Sequence, residues 1–186
     1  MDSFLVCDAF TRQYEGGYQC VHEDPGNWTG GNVGVGSLIG TNGGISAPRL
    51  MQFLGREPTV TDMQTLSVEG QQAIRRDDYW VPLRGDALPS GLNLLMYDDA
   101  IMSGFGSKTI PGAVTRIQTI AGVTVDGQVG PATLTAISMY SVDLLLFELL
   151  AAQALSFTKD GAFSWAAHGW GARLSARFAL ALQLAH

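Results

Sequence analysis

Tyr14-Glu15-Gly16-Gly17-Tyr18 sets a lone carboxylate between aromatic rings at the end of a predicted helix, then hands the backbone to two glycines. Aromatic walls disfavour the charged form of a carboxylate, so such a Glu can hold its proton near neutral pH. A protonated Glu at the lip of a cleft is the group that donates to the leaving oxygen of a sugar. The glycines admit positive φ and close approach of a bulky ligand. A helix followed by Gly-Gly is also an ordinary helix stop, and the pentapeptide alone does not choose between the two.

Working outward, Val6, Phe10 and Tyr14 recur every four residues and predict a short amphipathic helix with Glu15 at its end. Asp24-Pro25-Gly26 follows, and the chain to Gly44 is dense in Gly and Asn, with Val33, Val35 and Leu38 as apolar punctuation. That density weakens any helix and predicts a loop or small β-hairpin. Ser46 as N-cap and Pro48 in the first turn start a helix to Leu54. Further helices are expected from Thr61 and from Ser67 towards Tyr79, with Pro82 as the stop. Leu92, Leu95, Met96 and Ala100 mark another between Pro89 and Ser103. Pro111 to Ile120 follows with Val114, Ile117 and Gln118 inward, then a helix opened by Pro131. An apolar helix from Ser141 and a terminal one from Trp170 to Leu184 complete the pattern. The fold class is therefore mainly α. The run Leu144 to Leu155 is expected to be buried on most of its circumference and to thread the core.

The chain has 186 residues, 46% of them apolar, enough for one good core or two small ones. A net charge of −6 argues against a nucleic-acid binder, which carries a basic face. It also argues against electrostatic attraction to an anionic cell wall. Cys7 and Cys20 do not form a disulfide framework; they read as two buried thiols, or as a bridge anchoring the Glu15 helix. His22, His168 and His186 are scattered, so no metal site and no cofactor is expected. Gly31 to Gly36 lacks the Lys-Ser/Thr of a phosphate loop. Met1-Asp2-Ser3-Phe4 has no basic region or long apolar stretch, which predicts synthesis in the cytoplasm without a signal peptide. No membrane insertion is expected, and the chain is read as a monomer.

A Glu ending a helix, an Asp on the next loop and Thr41-Asn42-Gly43-Gly44-Ile45-Ser46 together resemble the lysozyme-like muramidases. Glu-Gly-Gly-Tyr with Asp-Pro-Gly behind it resembles more narrowly the glycoside hydrolase 108 family, peptidoglycan-degrading proteins that include phage endolysins and secretion activators. Asp78-Tyr79-Trp80, Leu88-Pro89 and Tyr97-Asp98 are similar to the second half of that catalytic region. Val125 to Leu134, with its Asp126-Gly127, Gly130-Pro131 and Thr133, is similar to predicted peptidoglycan-binding modules, and Gly169-Trp170 with Arg173 to the C-terminal signature. Two departures stand out: Asn27 to Gly40 stretches the interval between Asp24 and Thr41, and Gly43 and Met102 stand where an aromatic and a polar Asn are usual.

The resemblance implies a lysozyme-like helical fold, a catalytic region over residues 1–88, and a helical peptidoglycan-binding-like region over 89–186 packed as a lobe of the same fold. It implies cleavage of the β-1,4 bond between N-acetylmuramic acid and N-acetylglucosamine. Peptidoglycan strands are the partner, reached with the help of a holin or a secretion system. Glu15 is the expected general acid. Asp24 is the second carboxylate or a turn-former before Pro25, with His22 and Glu23 beside it as substitutes or surface residues. Thr41 holds water or merely occupies a Gly-rich turn. Tyr18, Trp28, Asn42, Tyr79, Trp80 and Asp98 are the expected substrate contacts, Tyr79 and Trp80 reading equally as core. Asp98 and Asp99 line the cleft, or pair with an arginine such as Arg75 or Arg76. Trp165 and Trp170 are assigned to packing, and Asp126 to Thr133 mainly to a structural turn, with contact to glycan as the alternative. A lytic transglycosylase using the same Glu, and a non-catalytic wall-binding or secretion-assisting factor, are the alternatives.

Overall fold

The computed structural model describes residues 2–159, 161 and 163–186, and the side chains of these except 163–165. The chain is mainly helical, with only isolated β-bridges among the described residues. It divides into two compact units, a larger one of Met1–Phe10 with Asp78–His186 and a smaller one of Thr11–Asp77.

Helix α1 (Ser3–Arg12) begins in the larger unit, where the Asp2 carboxylate accepts the Phe4 N–H at 2.9 Å. Its buried residues are Phe4, Cys7, Asp8, Phe10 and Thr11; of the expected Val6, Phe10 and Tyr14, Phe10 alone is among them. A four-residue period drifts against a 3.6-residue turn, and Tyr14 lies beyond the helix, 39% exposed.

The centre of the larger unit is α5 (Leu92–Ser103), every residue of which from Leu92 to Ala100 is buried. It packs against α6 (Ala113–Ile120), α8 (Val142–Phe157) and α9 (Phe163–Ala185), while α7 (Pro131–Ile137) begins at Pro131 as expected. Gly91, at φ +82, allows α9 to come in at the start of α5: a Cβ there would stand 2.3 Å from the Ala181 carbonyl oxygen. Phe4, Trp80 and Tyr97 meet edge to face, centroids 5.6–5.9 Å apart. Each such contact contributes about 0.5–1.5 kcal/mol beyond its burial. α5 also carries two charges into this core. Asp98 takes Arg173 at 2.7 Å and Arg177 at 2.9 Å, both from α9, and Asp99 takes Arg116 of α6 at 2.7 Å and Gln153 of α8 at 2.7 Å. Four helices are thereby tied through one polar knot. Arg116, Arg173 and Arg177 are thus partners that the sequence reading did not name.

Two expectations fail here. The core is threaded by α5, not by α8, which buries Leu145, Leu146, Leu149 and Gln153 and leaves Leu144, Phe147 and Leu155 exposed. A uniformly apolar helix gives no sign of which face is covered. α9 starts at Phe163, well before Trp170, and runs through Gly169 and Gly171. Two interior glycines cost about 1 kcal/mol each; the buried ion pairs of Arg173 and Arg177 hold the helix in place. Trp170 packs on Phe157 at 4.7 Å, while the Trp165 side chain lies outside the described residues.

The smaller unit has its own core of Ile39, Ile45, Ala47, Leu50, Met63 and Ile74, with Tyr18, Leu54 and Leu66 around it. It contains α2 (Ala47–Leu54), α3 (Val60–Gln64) and α4 (Val68–Arg75); Thr59 and Ser67 cap the last two with their hydroxyls, while Ser46 stands at the start of α2 without a side-chain cap bond. A π turn, Arg76–Trp80, continues α4.

Candidate active site

α1 ends at Arg12, and Glu15 sits in the turn that follows, its N–H bonded to the Arg12 carbonyl at 3.4 Å. From there the backbone runs extended against a second segment. Gly43 N–H donates to Gly16 O at 3.0 Å, and Gln19 and Thr41 exchange both backbone bonds at 2.9 and 2.8 Å. The second segment reverses through Asn42-Gly43-Gly44-Ile45, whose central glycines have φ of +57 and +76. Positive φ at both central positions is the habit of a two-residue hairpin turn.

That turn is gripped on several sides. A Cβ on Gly44 would stand 2.8 Å from Glu15 Oε2, so the carboxylate lies directly on the glycine backbone. A Cβ on Gly43 would stand 2.3 Å from the Gln71 side-chain oxygen, and the Arg75 guanidinium donates to the Gly43 carbonyl at 3.0 Å. The Gln71 amide thus fills the space beside Gly43 and leaves no room there for a side chain. Asn42 donates to the Met63 carbonyl at 2.8 Å and fastens the turn to the end of α3.

Asp24 is the turn-former before Pro25, and its second oxygen reaches another side chain. Oδ1 accepts the Gly26 N–H at 2.8 Å and starts the short 3-10 turn Pro25–Asn27. Oδ2 accepts from the Gln19 side-chain amide at 3.4 Å, and the same amide nitrogen donates to Thr41 Oγ1 at 2.9 Å. Gln19 therefore joins the two residues that sequence reasoning selected, and it was missed. A neutral amide two residues past the glycines carries no chemical signal of its own. Only the pairing of residue 19 with residue 41, across 22 positions, reveals it.

The long interval between Asp24 and Thr41 is a closed excursion. The fully buried Asn27 accepts at its carbonyl from both Ile39 N–H at 2.9 Å and Gly40 N–H at 3.1 Å. Trp28 pairs with Leu38, Thr29 N–H donates to Ser37 O and Gly30 N–H to Val35 O. This small hairpin-like loop lifts Val33 and Val35 into solvent. The Thr29 hydroxyl pins its base by donating to Glu57 at 2.8 Å.

Of the expected substrate contacts, Tyr18, Trp28 and Asn42 lie in the same unit as Glu15, Asp24 and Thr41. Trp28 is half-buried, donates its indole N–H to the His22 carbonyl at 2.8 Å and stands edge-on to the His22 ring. Partial burial, then a bond to Cys20, pushes the Tyr18 phenol above its ordinary range. Tyr79, Trp80 and Asp98 belong to the larger unit. Tyr79 is half-buried against Phe105. Trp80 is a correction: it is 1% exposed, boxed in by Phe4 and Tyr97, with its N–H on Asp86, and offers no ring face to a sugar. Asp98 is another, with its carboxylate sealed inside the core between two guanidiniums. Asp126 and Thr133 bond to the Gln118 amide and form the structural turn expected of them. Cys7 is buried and Cys20 exposed, both as free thiols, in place of the expected pair of buried thiols.

The comparisons with known proteins bear on this arrangement. No curated protein matches the chain. Among solved structures, SagA of Brucella abortus is similar over 98% of this chain and 95% of its own, at 30% identity and a TM-score of 0.77. The family model described as Glycosyl hydrolase 108 matches residues 9–104, which take in Glu15, Gln19, Asp24, Thr41 and the Gly43-Gly44 turn. A helical fold shared along its whole length with SagA and a family match spanning this site place the chain in glycosyl hydrolase family 108.

Proposed function

We propose that this glycoside hydrolase is an N-acetylmuramidase that cleaves the β-1,4 bond between N-acetylmuramic acid and N-acetylglucosamine in peptidoglycan, with Glu15 as its general acid. The observation that carries the reading is the joint placement of Glu15 on the Gly44 backbone and of Asp24 and Thr41 on one Gln19 amide. Glu15 gives its proton to the bridging oxygen as the bond to the anomeric carbon breaks. Asp24 and Thr41 serve the other half of the reaction, holding water or offsetting the positive charge that develops on the sugar. Tyr18 and Trp28 offer aromatic faces to the apolar faces of pyranose rings. The working place is the cell wall, reached from the cytoplasm through a holin or a secretion route.

The closed loop at Asn27 favours catalysis over a purely wall-binding role, because the lengthened interval leaves Asp24 bonded to the partner of Thr41. The test is mass spectrometry of the products released from purified peptidoglycan by wild type and Glu15→Gln. The expected result is muropeptides ending in reducing N-acetylmuramic acid, reduced by about 10²–10⁴-fold in the variant, with melting temperature unchanged. Anhydro-muramic ends would make the chain a transglycosylase. An active Glu15→Gln protein would remove the assigned acid.

A further inference from the structure

We propose that Gln19 is a positioning residue for the water half of this site, setting the direction of the Thr41 hydroxyl and the pose of the Asp24 carboxylate through one side-chain amide. The inference rests on the muramidase reading above and extends it to a residue outside the acid and its presumed partners. Gln19 Nε2 donates at 2.9 Å to Thr41 Oγ1 and at 3.4 Å to Asp24 Oδ2. A carboxylate offers only acceptors, so the amide must turn its NH2 towards Asp24. Thr41 Oγ1 then receives a hydrogen from Gln19, and the hydroxyl hydrogen is left to donate outward. Asp24 is held at its other oxygen by the Gly26 N–H. The Gln19 backbone is itself locked to Thr41 by the reciprocal pair of bonds, so the amide is aimed from a fixed base.

A donating hydroxyl beside an accepting carboxylate orients a water in one sense. The water accepts from Thr41, donates to Asp24, and presents its remaining lone pair to the anomeric carbon. In the balanced step the water oxygen bonds to that carbon, its proton passes to Asp24, the glycosidic bond breaks, and Glu15 protonates the leaving oxygen. A reversed amide would take the Thr41 hydrogen and leave the water without its donor. Next to Asp24 in the chain, the exposed His22 and Glu23 face each other at 3.8 Å.

Gln19 is exposed, so its substitution leaves packing intact. The experiment compares wild type, Glu15→Gln, Gln19→Leu and Gln19→Glu on solubilised peptidoglycan, with kcat and KM separated, pH profiles and melting curves. Gln19→Leu is expected to lose about tenfold to a hundredfold in kcat with KM within about twofold. Gln19→Glu is expected to lose more at neutral pH, where the new carboxylate repels Asp24 and claims the Thr41 hydrogen, and to close part of that gap as pH falls. Wild-type kcat in Gln19→Leu, or a loss confined to KM, overturns the inference while wild type and Glu15→Gln still differ as expected. If wild type releases no muropeptide, or Glu15→Gln stays active, the muramidase reading falls and the positioning role with it.

Discussion

Replacing Gly44 by alanine tests the site through a contact rather than through its chemistry. Gly44 has φ +76, a region that costs an L-residue about 1–2 kcal/mol. In a chain of this size each kcal/mol lowers the melting temperature by about 2–4 °C. The new methyl would also stand 2.8 Å from Glu15 Oε2, and ordinary contact begins near 3.4 Å, so the carboxylate must retreat by about 0.6 Å. The end of a flexible side chain moves cheaply, so little of this second effect shows in stability. It shows in rate, since misplacing a reacting group by about 1 Å costs about a hundredfold, and roughly 0.6 Å costs about tenfold or a little more. Gly34→Ala supplies the control, with φ +79 and nothing within 4 Å of the added atom. Both variants should melt a few degrees early by differential scanning calorimetry. Only Gly44→Ala should lose about tenfold in kcat for muropeptide release. Equal activity in the two variants, or full activity in Gly44→Ala, would refute the placement of Glu15 against this turn.

Iodoacetamide should label Cys20 and spare Cys7 in the native protein, because Cys7 is buried and that burial pushes its thiol up to about 12; peptide mapping that finds both labelled before unfolding contradicts the packing of α1. Asp98→Asn removes the carboxylate charge that Arg173 and Arg177 share in the core and should cost about 3–5 kcal/mol in urea unfolding; a loss under about 1 kcal/mol would mean the knot contributes little. Bonding to Arg56, then to Thr59, holds the Asp62 carboxyl well below the usual carboxylate range. Its stabilising effect is therefore complete above the ordinary aspartate range and drains as pH falls towards the depressed folded value. Urea midpoints of wild type and Asp62→Asn should differ near neutrality and converge in acid, and a constant gap would exclude this linkage.

Much of the fold could be read directly because helix starts are local. Ser67 and Ser141 cap α4 and α8 with their hydroxyls, and Pro131 opens α7 where no N–H is needed. The turns at Glu15 and Asp24 were also legible, since paired glycines after a helix and an Asp before proline have local consequences that survive folding. Trp80 and Asp98 were misread for a different reason. Whether an aromatic ring or a carboxylate faces solvent depends on what arrives against it, and here Phe4 comes from one end of the chain and Arg177 from the other. Neither fact has a local signature. Gln19 is the same case reversed: nothing in Tyr18-Gln19-Cys20 marks the amide, and its meaning comes from a partner on another segment.

The interval between Asp24 and Thr41 is long in sequence but closed at its base. Closing a flexible loop costs free energy that rises only slowly with length, about 0.6 kcal/mol per doubling. Entropy is therefore no strong bar to a longer excursion; the danger is that the loop ends drift apart. At Asn27 they cannot drift, because one buried carbonyl receives the N–H groups of both Ile39 and Gly40 while the Asn27 side chain donates to the Val21 carbonyl at 2.9 Å. Residues between Trp28 and Leu38 leave and return through the same point, and their tip projects into solvent. The length of the excursion is thus uncoupled from the separation of Asp24 and Thr41, which is fixed below it by Gln19 and the Gly26 N–H. A chain built this way can vary its loop tip without disturbing the contacts that join Asp24, Gln19 and Thr41.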